Sequence, residues 1–149
     1  MIATAQDLTQ EPPSSPRMRI HNYVILARLA DKARAAFMGG NVGEYHTDCP
    51  LDHKLLDWKG VTYDEIKKEI LAGSDNENLA LYLDKHGMRK TPEQVKSWSD
   101  EMEKLNPYAD PEKREWYAGE VKKLGLRPES TTLFDWLEAD DRAVLTKTS

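Results

Sequence analysis

Helix-start and helix-stop signals recur along this chain, and they constrain its fold more than any other feature. Thr62 and Glu65 form a capping box, in which the threonine oxygen accepts a free backbone N–H and the glutamate reaches back. Thr91 and Gln94 repeat this pattern around a first-turn proline. Glycines suited to helix C-termini follow four of the periodic segments: Gly39, Gly60, Gly73 and Gly87.

Apolar residues recur at helical spacing between these signals. In the first such segment Ile25, Leu29 and Ala33 lie four residues apart. The pattern predicts seven helices, over residues 23–37, 50–58, 62–71, 74–86, 91–105, 111–124 and 131–145. No segment of useful length alternates apolar and polar residues as a β-strand does. We therefore predict an all-α fold, a compact irregular or orthogonal multi-helix domain of about seven helices, because most of the helices are short.

Length and composition indicate one domain preceded by a tail. The chain has 149 residues, of which 39% are hydrophobic and 32% charged. Amphipathic helices that expose much of their surface produce this balance. Pro12, Pro13 and Pro16 lie in a polar N-terminal stretch, and we predict a flexible N-terminal tail over residues 1–18 and a single helical domain over 19–149.

Charge and cysteine content exclude several classes of protein. The net charge is −5 and no long run of lysine or arginine occurs, which argues against nucleic acid as a partner. No segment approaches the roughly 20 apolar residues of a membrane span, and no signal peptide is visible. Cys49 is the only cysteine, which is typical of a reducing compartment. We predict a cytoplasmic protein without membrane association.

Three stretches of the chain carry a family resemblance. These are the run from Leu26 to Ala35, the Gly43–Tyr45 segment with the following Cys49–Asp52 segment, and the ending Asp135–Asp141. With them the chain resembles a bacterial family, domain of unknown function number five thousand and sixty-nine. The resemblance covers nearly the whole chain after the tail. It implies a single compact bacterial domain and implies no activity, cofactor or partner.

The segment Gly43–Asp52 holds the residues best suited to chemistry. Cys49 precedes Pro50 and therefore takes the N-cap position of a short helix. The helix macrodipole favours a thiolate there, whereas the nearby carboxylate of Asp52 opposes it with a similar magnitude. The position alone does not decide whether this thiol is reactive.

Two interpretations of Cys49 follow. In the functional one, Cys49 is a nucleophile, His46 or His53 is its base, and Tyr45 is a proton donor or orienting group, so that the catalytic residues are Cys49, Tyr45 and His46. In the structural one, which is commoner for a lone cysteine, Cys49 packs as a small apolar residue and Asp52 caps the helix.

A metal site is a further alternative, because His46, Cys49 and His53 have a workable spacing. A fourth ligand would come from a nearby carboxylate: Glu44, Asp48 or Asp52. This spacing matches no established metal signature, and its second half is missing. The Cys-Pro dipeptide is weaker evidence still for haem ligation. We therefore predict no metal and no cofactor.

Charged residues interrupt the apolar first helix at four positions: Arg28, Asp31, Lys32 and Arg34. The favoured interpretation is a solvated stripe, with Arg28 and Asp31 paired on the surface. The alternative places an arginine against the Glu44–Tyr45 loop, where it would hold an anionic ligand bidentately. In that alternative the ligand-binding residues are Arg28, Asp31, Glu44 and Asp52.

Two other groups of residues have a structural interpretation. The tryptophans all fall on apolar faces and are predicted to pack in the core: Trp58, Trp98, Trp116 and Trp136. The acidic residues of the last helix lack the spacing of a calcium loop and indicate solvated charge: Glu138, Asp140 and Asp141.

Two function classes stay open. One is a small enzyme or ligand-binding domain, which binds a small anionic molecule or performs thiol chemistry at the Gly43–Asp52 loop. The other is a non-catalytic protein–protein interaction module, so the partner is either a small molecule or a protein. A pocket containing Cys49, a histidine and Arg28 would favour the first class, whereas a buried Cys49 and an exposed apolar groove would favour the second.

Overall fold

Seven α-helices make up most of the regular structure in the computed structural model, which describes residues 5–148 and the side chains of residues 5–145. They are α1 Leu26–Phe37, α2 Pro50–Lys59, α3 Tyr63–Leu71, α4 Asn76–Lys85, α5 Pro92–Lys104, α6 Arg114–Lys123 and α7 Leu133–Thr148. Two 3₁₀ turns, Pro107–Ala109 and Pro128–Ser130, flank α6. The described residues contain isolated bridges but no strand, so the predicted all-α fold is confirmed.

Side chains near the helix starts determine where most of the helices begin. The capping boxes predicted for Thr62 and Thr91 are both present, with the hydroxyls 3.2 Å and 3.1 Å from the backbone nitrogens that donate to them. The fourth helix was predicted to begin at Ser74, but Asp75 caps it by accepting the backbone N–H of Asn78. Thr132 and Asp135 form a further reciprocal pair at the start of α7.

The first helix begins later than predicted, at Leu26 rather than Tyr23. Ile20 and Tyr23 exchange backbone hydrogen bonds in a tight turn, and Ile25 adopts a φ of 76°, outside the helical region. The backbone N–H of Ile25 donates to the carbonyl of Pro16, which ties this turn to the N-terminal segment. The sixth helix is likewise shorter at its start, because residues 110–113 form turns before Arg114.

Helix α1 lies at the centre of the fold. Its residues from Leu26 to Ala30 are at most 4% exposed. Apolar side chains of α2, α3 and α4 pack with its own in one core, which includes Leu29, Ala33, Leu55, Leu56, Ile66, Ile70, Leu79 and Leu83. Because other elements surround α1, its basic residues Arg28, Lys32 and Arg34 are buried as well.

The N-terminal segment follows the surface of the helical domain. The tail predicted for residues 1–18 lies outside the described residues at positions 1–4, but from Ala5 onward it can be traced. Leu8 is 1% exposed, and Ser14 donates from its backbone N–H and hydroxyl to Asp31. Arg17 reaches Asp135 and Glu138 on α7. These contacts connect the segment to α1 and α7.

No helix within the described part of the chain is both long enough and apolar enough to cross a membrane.

Candidate functional site

A buried ion pair joins the first and last helices. The Arg28 guanidinium donates to both carboxylate oxygens of Asp141, at 2.7 Å and 2.9 Å. The two side chains are 4% and 7% exposed. Burial alone would lower the pKa of Arg28, but the hydrogen bonds and charge of Asp141 outweigh it and raise the pKa.

The Tyr45 side chain extends this pair. Its hydroxyl donates to Asp141 Oδ1 at 3.0 Å, and the Arg28 guanidinium carbon lies 5.5 Å from the centre of its ring. Burial and the carboxylate of Asp141 raise the pKa of the Tyr45 phenol above its ordinary value. The phenol is therefore a hydrogen-bond donor at neutral pH, and its proton is directed at Asp141.

A second buried cation lies one helical turn further along α1. The Lys32 ammonium donates to Cys49 Sγ at 3.2 Å and to Asp52 Oδ2 at 3.3 Å. Asp52 Oδ1 lies 3.1 Å from the same nitrogen without hydrogen-bond geometry. Asp52 Oδ2 also accepts the backbone N–H of Cys49, which caps α2 as the structural interpretation predicts. Lys32 and Asp52 are 4% and 1% exposed, whereas Cys49 is half-buried.

Cys49 also lines an apolar pocket of about 660 Å³. The start of α2, the chain around the 3₁₀ turn Pro107–Ala109, and helices α6 and α7 form its walls. We call it the Cys49 pocket, and its lining residues are Cys49, Pro50, Leu51, Lys54, Leu105, Asn106, Pro107, Ala109, Asp110, Lys113, Trp116, Leu133, Trp136 and Leu137. Its volume is within the range of small-molecule sites.

Two tryptophans form part of the pocket wall. The rings of Trp116 and Trp136 meet edge to face, with centroids 5.5 Å apart. Trp136 is half-buried, but Trp116 is 53% exposed, so the predicted core position of Trp116 is wrong. Trp58 and Trp98 are partly buried and stack on each other elsewhere in the molecule.

The charged residues of the pocket are Lys54, Lys113 and Asp110. Asp110 accepts the backbone N–H of Glu112 at 3.0 Å, whereas no carboxylate among the described residues lies within ion-pair distance of either lysine. Burial and the positive charge of Lys113 lower the pKa of Lys54. The pocket therefore combines apolar walls with a net positive charge.

The predicted catalytic residues have separate surroundings. Cys49 contacts Lys32, and Tyr45 contacts Asp141, while His46 is exposed. No histidine lines the Cys49 pocket.

The other candidate base also has its own partners. Both ring nitrogens of His53 are paired with carboxylates, one with Asp48 and the other with Asp57 at 3.2 Å. Asp57 and then Asp48 raise the pKa of His53 through these hydrogen bonds. His53 is therefore held by two acidic residues, and none of the described hydrogen bonds joins its ring to the sulfur of Cys49.

The predicted ligand-binding residues are dispersed. Arg28 forms an ion pair with Asp141, and Asp52 forms one with Lys32. Asp31 accepts a hydrogen bond from the hydroxyl of Ser14. Glu44 is exposed. The expected surface pair of Arg28 and Asp31 is wrong, because Arg28 is buried and Asp31 lies 3.7 Å from Arg34 instead.

The metal alternative has no geometric support. Among the described residues, no group of three or more histidine, cysteine, aspartate or glutamate side chains is arranged to hold a metal ion. In particular, His46, Cys49 and His53 do not form such a group in the structure.

Comparison with known families assigns the chain to one of them. A family profile described as domain of unknown function (DUF5069) matches residues 10–143. The chain belongs to the DUF5069 family. No curated protein matched it. The family match confirms the resemblance seen in the sequence and assigns no chemistry to the site.

Sequence reasoning missed four residues of this site: Lys32, Lys54, Lys113 and Asp141. Lys32 and Asp141 were interpreted as solvated charge, although a lysine four residues after Arg28 on an apolar helix signals a shared buried face. Lys54 and Lys113 lie 59 positions apart in the sequence, and no local pattern connects them.

Proposed function

We propose that this protein binds a small molecule with an apolar body in the Cys49 pocket. The observation that carries the proposal is a concave site of about 660 Å³ with apolar side chains from several elements and few charged groups. The site adjoins the Gly43–Asp52 loop, because Cys49 forms part of its wall.

The neighbouring buried contacts support a preformed site. Asp52 holds the start of α2 through the Cys49 backbone and through Lys32. The Arg28–Asp141 pair fixes α7 against α1. Two elements of the pocket wall are thereby held by buried charged contacts, so little ordering is needed on binding.

Titration with 1-octanol tests the proposal, since this neutral amphiphile fits an apolar pocket without needing a charged partner. We expect chemical shift changes at the methyl groups of Leu105 and Leu137 and at the indole of Trp136. Ala109→Phe should weaken binding, because Ala109 lines the pocket, is exposed, and can be enlarged without disturbing the core.

Ala72→Phe is the matched control, because Ala72 is an exposed alanine outside the pocket. It should leave the affinity for 1-octanol unchanged. Shift changes confined to exposed apolar residues elsewhere, such as Phe37 and Leu71, would contradict the proposal. An interaction module would instead show no saturable binding of the alcohol.

Thiol chemistry at Cys49 is a second candidate, favoured by the contact between the Lys32 ammonium and Cys49 Sγ. In general a cation beside a sulfur favours the thiolate, which is the nucleophilic form, and here the carboxylate of Asp52 lies against the same ammonium. Since Cys49 lines the pocket, an electrophilic ligand bound there would lie beside this residue. In this candidate Lys32 is the residue that contacts the sulfur, and the exposed His46 is not the base.

A further inference from the structure

We propose that the ligand of the Cys49 pocket is an amphipathic carboxylate, with a hydrocarbon body in the pocket and its negative group at Lys54 and Lys113. This inference rests on the proposed function, because it names the chemical class of the molecule that the same pocket binds. It differs from the prediction made for Arg28, whose guanidinium is already held by Asp141.

The charge of the pocket is opposite to that of the chain. Two lysines and one aspartate line the pocket, so its lining is net positive, whereas the whole chain carries −5. The aspartate, Asp110, is also part of a local turn, in which its carboxylate accepts the Glu112 backbone N–H. A ligand with one negative group is the charge complement of this lining.

Lys54 lies within the field of the exposed Lys113, and neither lysine has a carboxylate partner among the described residues. Lys54 is half-buried, and both burial and the charge of Lys113 lower its pKa. An anion placed between them would relieve this repulsion and replace lost hydration. The two buried lysines already have partners, because Lys32 is paired with Asp52 and Lys59 donates to the carbonyls of His86 and Met88.

The remaining wall selects the body of the ligand. Leu51, Leu133 and Leu137 contribute aliphatic surface, and Trp116 and Trp136 contribute aromatic edges. A strongly hydrated polyanion would leave this surface unused and would bring more negative charge than two lysines offset. A hydrocarbon chain or ring with a single carboxylate matches both parts of the lining.

Three ligands of equal chain length test the charge: octanoate, 1-octanol and octylammonium. Isothermal titration calorimetry on the full chain should show octanoate binding roughly tenfold tighter than 1-octanol, with octylammonium weakest. Lys54→Met should remove most of the preference for octanoate and leave 1-octanol within about twofold of its affinity. Lys113→Met should act in the same direction.

Two further variants keep the test specific. Lys54→Arg preserves the charge and should preserve the preference, whereas Lys68→Met removes an exposed lysine outside the pocket and should change nothing. Equal affinity for octanoate and 1-octanol, or tightest binding of octylammonium, would overturn the inference of a carboxylate ligand. The proposal that the pocket binds an apolar molecule would still hold. If none of the three ligands binds, the proposed function and this inference are both overturned.

Discussion

The Lys32 ammonium lies 3.2 Å from Cys49 Sγ, and Asp52 contacts both residues. The cation comes from the central helix α1, the thiol from the N-cap residue of α2, and the carboxylate from the first turn of α2. Helix capping, a buried ion pair and the environment of the lone thiol are therefore parts of one arrangement. Lys32 contacts Cys49 at its sulfur, whereas Asp52 contacts it at its backbone N–H.

Cys49 should react with iodoacetamide in the folded protein, because it is only half-buried and the reagent can reach it through the pocket that it lines. His46→Ala should leave the rate at neutral pH unchanged, since Lys32 and not His46 contacts the sulfur. The double variant Lys32→Met with Asp52→Leu removes one positive and one negative charge, whose effects on the thiolate oppose each other, so the rate should stay within about threefold of the wild type. The rate is measured by mass spectrometry, and there is only one thiol to label.

Labelling that occurs only after unfolding would contradict this expectation and would leave Cys49 a packing residue. Cys49→Ser serves as the folding control. Its hydroxyl can accept the same hydrogen bond from Lys32, so the circular dichroism spectrum should match that of the wild type.

Removing one member of the buried Lys32–Asp52 pair should be costly. Lys32→Met and Asp52→Leu should each lower the free energy of unfolding by about 3–5 kcal/mol, because each leaves an uncompensated buried charge. The double variant should lose clearly less free energy of unfolding than the sum of the losses of the two single variants. Urea denaturation measures all three values, and additive losses would show that the pair is not coupled.

The contribution of Tyr45 can be separated from that of Arg28. Tyr45→Phe removes one hydrogen bond to Asp141 and should lower the free energy of unfolding by about 1 kcal/mol. Arg28→Met leaves Asp141 unpaired and should cost about 3–5 kcal/mol.

Tyr108→Phe provides the matched control for the loss of a phenolic hydroxyl outside the site. It should stay within about 0.5 kcal/mol of the wild type. A Tyr45→Phe variant as stable as this control would show that the hydroxyl contributes nothing to the pair.

His21 should make stability depend on pH. Its ring nitrogens contact Asp84 at 3.0 Å and Glu77 at 2.5 Å, and these hydrogen bonds raise its pKa. A raised pKa in the folded state stabilises the protein fully below the unfolded value of about 6.5. That contribution is lost as the pH rises through the folded pKa.

Thermal unfolding of His21→Gln measures this effect. The wild type should exceed the variant in Tm by more at about pH 5.5 than at about pH 8.5. Glu77→Gln should reduce the difference, because it removes one of the two carboxylates that hold the imidazolium. An equal difference in Tm between the wild type and His21→Gln at both pH values would show that His21 does not make stability depend on pH.

Features decided within a few residues followed from the sequence. The capping boxes at Thr62 and Thr91 formed as predicted, because the donor and acceptor lie three positions apart. The start of α1 was not predicted correctly, because the backbone N–H of Ile25 donates to Pro16 and the backbones of Ile20 and Tyr23 are hydrogen-bonded to each other. An apolar periodic pattern does not reveal such a competing turn.

The predicted solvated charges show where local reasoning ends. Arg28 and Lys32 are buried because α1 is enclosed by other elements and because carboxylates reach it from α7 and α2. Asp141 lies 113 positions from Arg28. A charge is stable in the interior only with its partner, and that partner is chosen by packing.

By itself, the sequence determined the all-α fold, most of the helices and the family. Only the tertiary structure decided that Lys32 faces the thiol and that Lys54 and Lys113 share one pocket. The physical reason is range. Capping and helical periodicity act over a few residues, whereas a pocket and its charges depend on how distant helices pack against each other.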